Sequence, residues 1–440
     1  MADYKSWGNH FDYEHKVRRL NWRSEDLSFL GALSEPVLPY GFGHSYGDVC
    51  LNDGGWLIDA GHMNRFISFD DERGVVRCEA GVSLAEILEL VMPRGWFLRV
   101  LPGTKYVTVG GAIANDVHGK NHHIAGTFGS HVSKFELVRS DGSRTICSPT
   151  ENVELFSATI GGMGLTGLIT WAEIELKRIR TGLIDAEYVK FKNIGDFFEL
   201  NETSEKSHDY TVAWVDCLAT GGELGRGIYM RGNHIDEHPR GPRSLNPGNL
   251  DPRISVPIYF PGFALNKWSI KLFNMFYNSK QRVDIERRIV GFNSFFTPLD
   301  SIGEWNRIYG KRGFFQYQFV LPGRNESIVR KIFEKIAVSG MASFLVVLKS
   351  FGGLESPGLM TFPKDGVTLA LDFPNRGDAT MKFMKELNGI VFENGGRLNP
   401  SKDSVMDIDF YRASFPNIDK FEKQRDMAFS SSFWRRVTGQ

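Results

Sequence analysis

Hydrophobic and polar positions along the chain fall into two regimes. In the first, short alternating runs are separated by glycine turns. Residues 56–59 (WLID) and 74–79 (GVVRCE) read as strands, and residues 168–176 (LITWAEIEL) alternate with the period of two of a half-buried strand. Residues 135–138 and 144–147 flank Asp141-Gly142, a dipeptide that favours a tight hairpin. Residues 83–91 (SLAEILELV) carry helical spacing, and Ser83 followed by Glu86 makes a capping box that predicts the helix start. Mixed strands with few helices predict an α+β unit ending near residue 178.

From about residue 179 the runs lengthen. Residues 210–216 and 314–321 mix β-branched, aromatic and polar side chains as strands do, whereas 326–337 and 378–393 have helical periodicity. Residues 232–257 are rich in Pro, Gly and polar residues and predict a long loop, a kind of segment that is often functional. The aromatic-rich stretch 259–277 has two readings: a buried core helix, or an apolar substrate channel or membrane-facing patch.

Composition narrows the class. The chain has 440 residues, enough for two or three domains, with 52 basic against 52 acidic residues. Such a balance argues against nucleic acid as a partner, which normally shows as a basic excess. Cys50, Cys78, Cys147 and Cys217 form no CxxC pair, so neither a zinc nor a redox motif is visible. The first twenty residues contain no apolar core of a secretory signal, and no run approaches the roughly 18 apolar residues of a membrane span. A cytoplasmic protein, or one peripheral at the inner membrane, is the resulting expectation.

Candidate chemistry concentrates in residues 102–129, PGTKYVTVGGAIANDVHGKNHHIAGTFG, where Gly103, Gly110, Gly111, Gly119 and Gly126 precede Gly129. Clustered glycines make poor core material but let peptide N–H groups converge on an anion such as a diphosphate. With GFGHSYGD at 41–48 upstream, the pattern predicts a large phosphorylated cofactor held by loops. Gly162, Gly164 and Gly167 match GxGxxG, yet a strand pattern follows where a dinucleotide fingerprint needs a helix, so that motif is set aside. His118, His122 and His123 suggest metal ligation at first, but Gly119 interrupts the helix that would align them, and no metal is expected. They read as ligand contacts or loop histidines. His44 reads as an exposed turn histidine or a cofactor contact, and Lys402 beside Asp403 as a solvated ion pair unless the site claims it.

Taken together, the segments GFGHSYGD (41–48), PGTKYVTVGGAIANDVHGKNHH (102–123), GTFGSHV (126–132), ATIGGMGLTGLI (158–169), VAWVDC (212–217), FFQYQFVLP (314–322), LKSFG (348–352), LDFP (371–374) and GGRLNPSKDS (395–404) resemble the decaprenylphosphoryl-β-D-ribose 2-oxidase family. That family lies within the vanillyl-alcohol oxidase superfamily of PCMH-type FAD-binding proteins. The resemblance implies an FAD-binding domain at 1–178, a substrate domain with a large antiparallel sheet at 179–394, and a return to the FAD domain at 395–440. It implies FAD contacts at Gly41, Gly43, His44, Ser45, Tyr46 and Gly47. Further contacts would come from Pro102, Gly103, Thr104, Thr108, Gly110, Gly111, Ala112, Asn115, Asp116, Gly119, Asn121, His122 and Gly126, then from Gly164, Gly167 and Ile169. Tyr46, His118, Lys120, Trp214, Gln316, Gln318, Lys349, Ala370, Asp372 and Asn399 would line the substrate pocket. Lys402 would be a catalytic cation beside the flavin, and His118 a proton acceptor.

The implied reaction oxidises the 2′-hydroxyl of a polyprenyl-phosphate ribose to a ketone, with a short-chain reductase as partner completing the epimerisation to arabinose for cell-wall polysaccharide. Such a lipid-linked substrate would require peripheral membrane contact, for which 254–277 is the candidate. Three positions depart from the family pattern. His44 stands where arginine is common, and since a GxGHS histidine carries covalent flavin in sugar and alditol oxidases, it admits a covalent link to FAD. Ala370 replaces an inhibitor-reactive cysteine, and Asn399 replaces a tyrosine. The alternatives are a soluble sugar or alditol oxidase that uses O2, and a non-catalytic flavin-binding subunit.

Overall fold

The computed structural model describes residues 4–236, 245–262, 264–341 and 343–440. Its first half follows the alternating pattern. The capping box forms as expected: Ser83 accepts from the Glu86 N–H while Glu86 accepts from the Ser83 N–H at 2.8 Å, opening helix Leu84–Val91. Strands Phe66–Asp70, Val75–Glu79, Leu168–Arg178, Val132–Val138 and Arg144–Cys147 lie side by side in that order, with Trp96–Leu98 also pairing Leu168–Arg178. The hairpin turns at Gly142 in the left-handed region, φ +79°. Leu168–Arg178 follows the GxGxxG segment directly, and no helix opens there. A small parallel sheet, Lys16–Arg19, Trp56–Asp59 and Val37–Tyr40, carries the first glycine loop at its end.

An eight-stranded sheet forms the other half, with every pairing antiparallel. Its order is Ile285–Gly291, Leu183–Phe191, Gly227–His234, Tyr210–Val215, Val346–Phe351, Gly366–Pro374, Phe314–Pro322, Arg397–Leu398. Register decides which side chains meet. Gln316 pairs with Asp372, Gln318 with Ala370, Lys349 with Thr368, and Trp214 with Val347. Paired residues share a face and alternate residues return to it, so one polar row crosses three adjacent strands. The opposite face is apolar: Phe315, Tyr317 and Phe319 pack with Val329, Ile332 and Phe333 of helix Glu326–Ser339 and with Leu387 of helix Asp378–Glu393. Burying each such aromatic or aliphatic side chain is worth about 1.5–3 kcal/mol, which fixes the register and with it the polar row.

Two sequence expectations change. The long loop at 232–257 is shorter than expected, because strand Gly227–His234 continues into it and Ile254–Ser255 pairs with Ile302–Gly303. Residues 237–244 of that loop lie outside the described residues. The stretch 259–277 is not a core helix. Helix Lys267–Lys280 buries only Ile270 and Asn274, while Trp268 is 78% and Phe276 64% exposed. No helix among the described residues is long and apolar enough to cross a membrane.

Candidate active site

A cavity of about 900 Å³ lies between the glycine loops and the polar face of the large sheet. That size sits within the roughly 300–1,000 Å³ of ligand pockets. One wall is main chain. The first loop, after strand Val37–Tyr40, presents five consecutive peptide N–H groups, residues 41–45, with no acceptor among the described residues. Gly43 has φ +66°, and a Cβ there would meet the Tyr40 hydroxyl at 2.1 Å, so no larger side chain fits. Gly47 lies against the loop that carries Lys402: a Cβ there would stand 1.9 Å from the Asp403 carbonyl oxygen. The Tyr46 N–H donates to the Ser401 carbonyl at 2.8 Å across the same junction. Arg436 bridges the two loops, its guanidinium 2.7 Å from Asp48 and 3.0 Å from Asp403. In the second loop Thr108 caps helix Val109–Ala114 by accepting from the Gly111 N–H. Free amides along a concave backbone are the donor set a diphosphate needs, so this wall fits a dinucleotide cofactor.

The facing wall is side chains. Gln316 donates to Asp372 at 2.7 Å and the Tyr309 hydroxyl to the same carboxylate at 3.1 Å. Burial nonetheless pushes the Asp372 carboxyl up to about 7. Gln318 contacts His118 at 3.2 Å and Thr368 at 3.1 Å, and Asn399 donates to Gln318 at 2.9 Å. The Lys349 amine lies 3.0 Å from His118 Nδ1. Burial, with Lys349 and Lys402 nearby, holds His118 well below the usual imidazole range. Burial lowers Lys402 to about 8, Asp372 opposing the shift, and its amine lies 5.6 Å from the centre of the Tyr46 ring. Lys120 donates to the carbonyls of Phe295 and Phe296, and burial lowers it to about 7. The Trp214 indole donates to the Phe344 carbonyl at 3.0 Å and packs against Tyr277, ring centres 4.5 Å apart and planes tilted by 48°. Burial pulls His44 down to about 4, so its ring is neutral near pH 7, 4.7 Å from the Trp7 ring.

Most of the sequence-derived site residues therefore converge on one cavity; six stand behind its lining. Asp372 backs Gln316, and Gly47 backs the Lys402 loop. Ala112 is buried, and Asn121 is spent on the Arg99 carbonyl at 2.8 Å. Gly126 shapes a turn at φ +66°, and His122 is buried against Phe351 with neither ring nitrogen partnered among the described residues. Sequence reasoning missed Trp7, Trp305 and Asp300, which line the cavity. Asp300 pairs with buried Lys105 at 3.4 Å and ties the second glycine loop to segment Pro298–Ser301. Trp7 is placed by its N–H donating to the Ser45 carbonyl at 2.8 Å, a contact no local pattern signals.

A family profile described as an FAD binding domain matches residues 26–148, the span that holds both glycine loops. The chain is 36% identical over 415 residues to decaprenylphosphoryl-β-D-ribose oxidase of Mycolicibacterium smegmatis, covering 91% of this chain and 89% of that protein. It belongs to that oxidase family. It is accordingly an FAD-dependent oxidoreductase of PCMH type acting on CH–OH groups. More distant similarity extends to mouse L-gulonolactone oxidase, 33% identical over 33% of this chain and 32% of that one. Rat Δ(24)-sterol reductase is 34% identical over 29% of this chain and 28% of its own length. Both shorter matches have the length of an FAD domain, not of the whole family fold.

Proposed function

We propose that this family member oxidises the 2′-hydroxyl of a polyprenyl-phosphate ribose to a ketone, the first half of an epimerisation that a short-chain reductase completes. The observation that carries this reading is the polar row Gln316, Gln318, Lys349 and His118 facing Lys402 across one cavity, together with the full-length similarity to an oxidase of that substrate. Residues 1–178 and 395–440 would form the FAD-binding domain and 179–394 the substrate domain. Support for that division comes from the C-terminal segment, where the Ser430 N–H donates to the Val37 carbonyl at 2.9 Å.

FAD, when bound, supplies the two-electron acceptor for the carbinol C–H. The chain does the rest. Residues 41–45 bind the diphosphate through main-chain donors, and Lys402 holds a positive charge where negative charge develops. Gln316 and Gln318 orient the sugar through hydrogen bonds, and His118, neutral at physiological pH, accepts the hydroxyl proton. The apolar branch of the cavity along Tyr188, Ile228, Met230 and Tyr277 accommodates the start of the lipid.

Contact with the membrane that holds this lipid would run through helix Lys267–Lys280. Residues 252–283 contain five cations, Arg253, Lys267, Lys271, Lys280 and Arg282, and no Asp or Glu. None of the five is ion-paired among the described residues, and exposed Trp268, Leu272 and Phe276 stand among them. Exposed aromatics with lysines and no acids suit an anionic lipid surface. A peripheral position at the inner membrane follows from this reading.

Mass analysis tests the reaction. Holoenzyme given polyprenyl-phosphoryl ribose and an artificial electron acceptor should yield a product lacking two hydrogens, which a reductase with reduced nicotinamide converts to the arabino epimer. Oxidation of free alditols in preference would favour the O2-using alternative that His44 suggests. Acid precipitation then decides the flavin link: flavin wholly in the supernatant excludes a bond to His44.

A further inference from the structure

The donors and acceptors around His118 can be assigned from two fixed ends. At one end the Ser401 N–H, which can only donate, lies 3.1 Å from Asn399 Oδ1. The Asn399 amide nitrogen must then face Gln318, and it meets Gln318 Oε1 at 2.9 Å. At the other end the Phe319 carbonyl, which can only accept, takes the Thr368 hydroxyl proton at 2.7 Å. The Thr368 oxygen is left to accept from Gln318 Nε2 at 3.1 Å. Both ends give Gln318 the same orientation, with its NH2 toward His118. Since that NH2 only donates, His118 Nε2, 3.2 Å away, must accept.

A neutral imidazole that accepts at Nε2 carries its proton on Nδ1. The atom 3.0 Å from Nδ1 is Lys349 Nζ. An ammonium has no lone pair, so a charged Lys349 would set one donor against another. We infer that Asn399, Gln318 and Thr368 are positioning residues that hold His118 as the Nδ1–H tautomer, with Lys349 as an uncharged amine accepting that proton and donating to the Gly119 carbonyl. The other groups facing the pair act in the same sense. Lys402 and Lys120 lie on the Lys349 side and His122 beside His118, all disfavouring a further positive charge, and burial lowers Lys349 well below its ordinary range.

The inference rests on the alcohol-oxidation reading above and gives it a proton path. The substrate hydroxyl takes the place of the Gln318 NH2 at His118 Nε2, Gln318 keeping its bond to Thr368, and gives its proton there. The added charge is shared along the Nδ1–H bond to the Lys349 amine, so neither group carries a full charge alone. Proton count is conserved, and the two electrons leave with the carbinol C–H to the FAD of the established activity.

The test is 15N NMR of imidazole-labelled resting holoenzyme, with no substrate present. The expected result is His118 protonated at Nδ1 and unprotonated at Nε2. An Nε2–H tautomer, or an imidazolium at pH 7, would overturn the inference while leaving the proposed substrate untouched. Conversely, the expected tautomer in an enzyme that oxidises no lipid-linked ribose would retain the inference and remove the substrate reading. Lys349→Arg, always charged, should displace the Nδ1–H signal and slow alcohol oxidation by about 10²-fold, whereas Lys349→Met should retain the tautomer. Should either variant fail to fold, Thr368→Val combined with Asn399→Leu removes both ends that orient Gln318, whereas each single change leaves the other end in place. The double variant should yield a measurable fraction of the Nε2–H form, and an unchanged signal in it would contradict the assignment.

Discussion

The two walls of the cavity are built from different material. The glycine-loop wall offers peptide N–H groups and tolerates almost no side chain, whereas the sheet wall offers side chains from strands as far apart in sequence as Tyr210–Val215 and Gly366–Pro374. Main-chain donors bind whatever carries a diphosphate, so that wall determines the cofactor. In the proposed reaction the side-chain wall would determine which alcohol reacts and where its proton goes. Changes on the first wall should therefore empty the protein of FAD, and changes on the second should leave FAD in place and slow the chemistry.

The sharpest test of that contrast is Gly43→Val. Its Cβ would enter the Tyr40 hydroxyl at a position of φ +66° in the loop that lines the cavity, so we expect nearly complete loss of bound FAD, read as flavin released per protein. A yellow, fully loaded variant would break the comparison. On the facing wall Lys402→Met should keep its flavin but lower the anaerobic flavin-reduction rate by about 10²–10³-fold, the usual scale for removing a transition-state charge partner. His118→Ala should cost on the order of 10²-fold with FAD content unchanged, and an undiminished rate would remove its role as proton acceptor.

The smallest effect is on stability. Burial holds the Asp372 carboxyl at about 7, above its usual value near 4. Between those values the folded chain holds a proton that the unfolded chain has released. Stability contributed by this group is thus present below about pH 4 and lost as pH rises toward 7. A tenfold difference in proton affinity between the folded and unfolded chain is worth about 1.4 kcal/mol, so Asp372→Asn should flatten the fall in stability between pH 4 and 7 by a few kcal/mol at most. Melting curves across that range check it.

The same contrast explains what could be read from the sequence. Gly43 and Gly47 announce the cofactor wall because a bare backbone leaves a local signature, and the Ser83–Glu86 cap and Asp141-Gly142 turn are local for the same reason. The polar row is not local. Gln316, Gln318 and Lys349 look like ordinary strand residues until register places them on one face, and only the family resemblance singled them out. The Asn399–Gln318–His118 chain needs atomic positions. Helix Lys267–Lys280 misled in the other direction. Aromatic density normally means core, but a background of lysines and arginines with no Asp or Glu from 252 to 283 is the visible sign that this helix faces outward.

Anaerobic bleaching of the bound flavin decides whether a lipid-linked ribose is the alcohol oxidised, with polyprenyl-phosphoryl ribose, free ribose and alditols compared at equal concentration. Rapid, stoichiometric bleaching by the lipid-linked ribose and little by the others is the expected result. Faster bleaching by free sugars or alditols, or a flavin that no alcohol bleaches, would contradict the account.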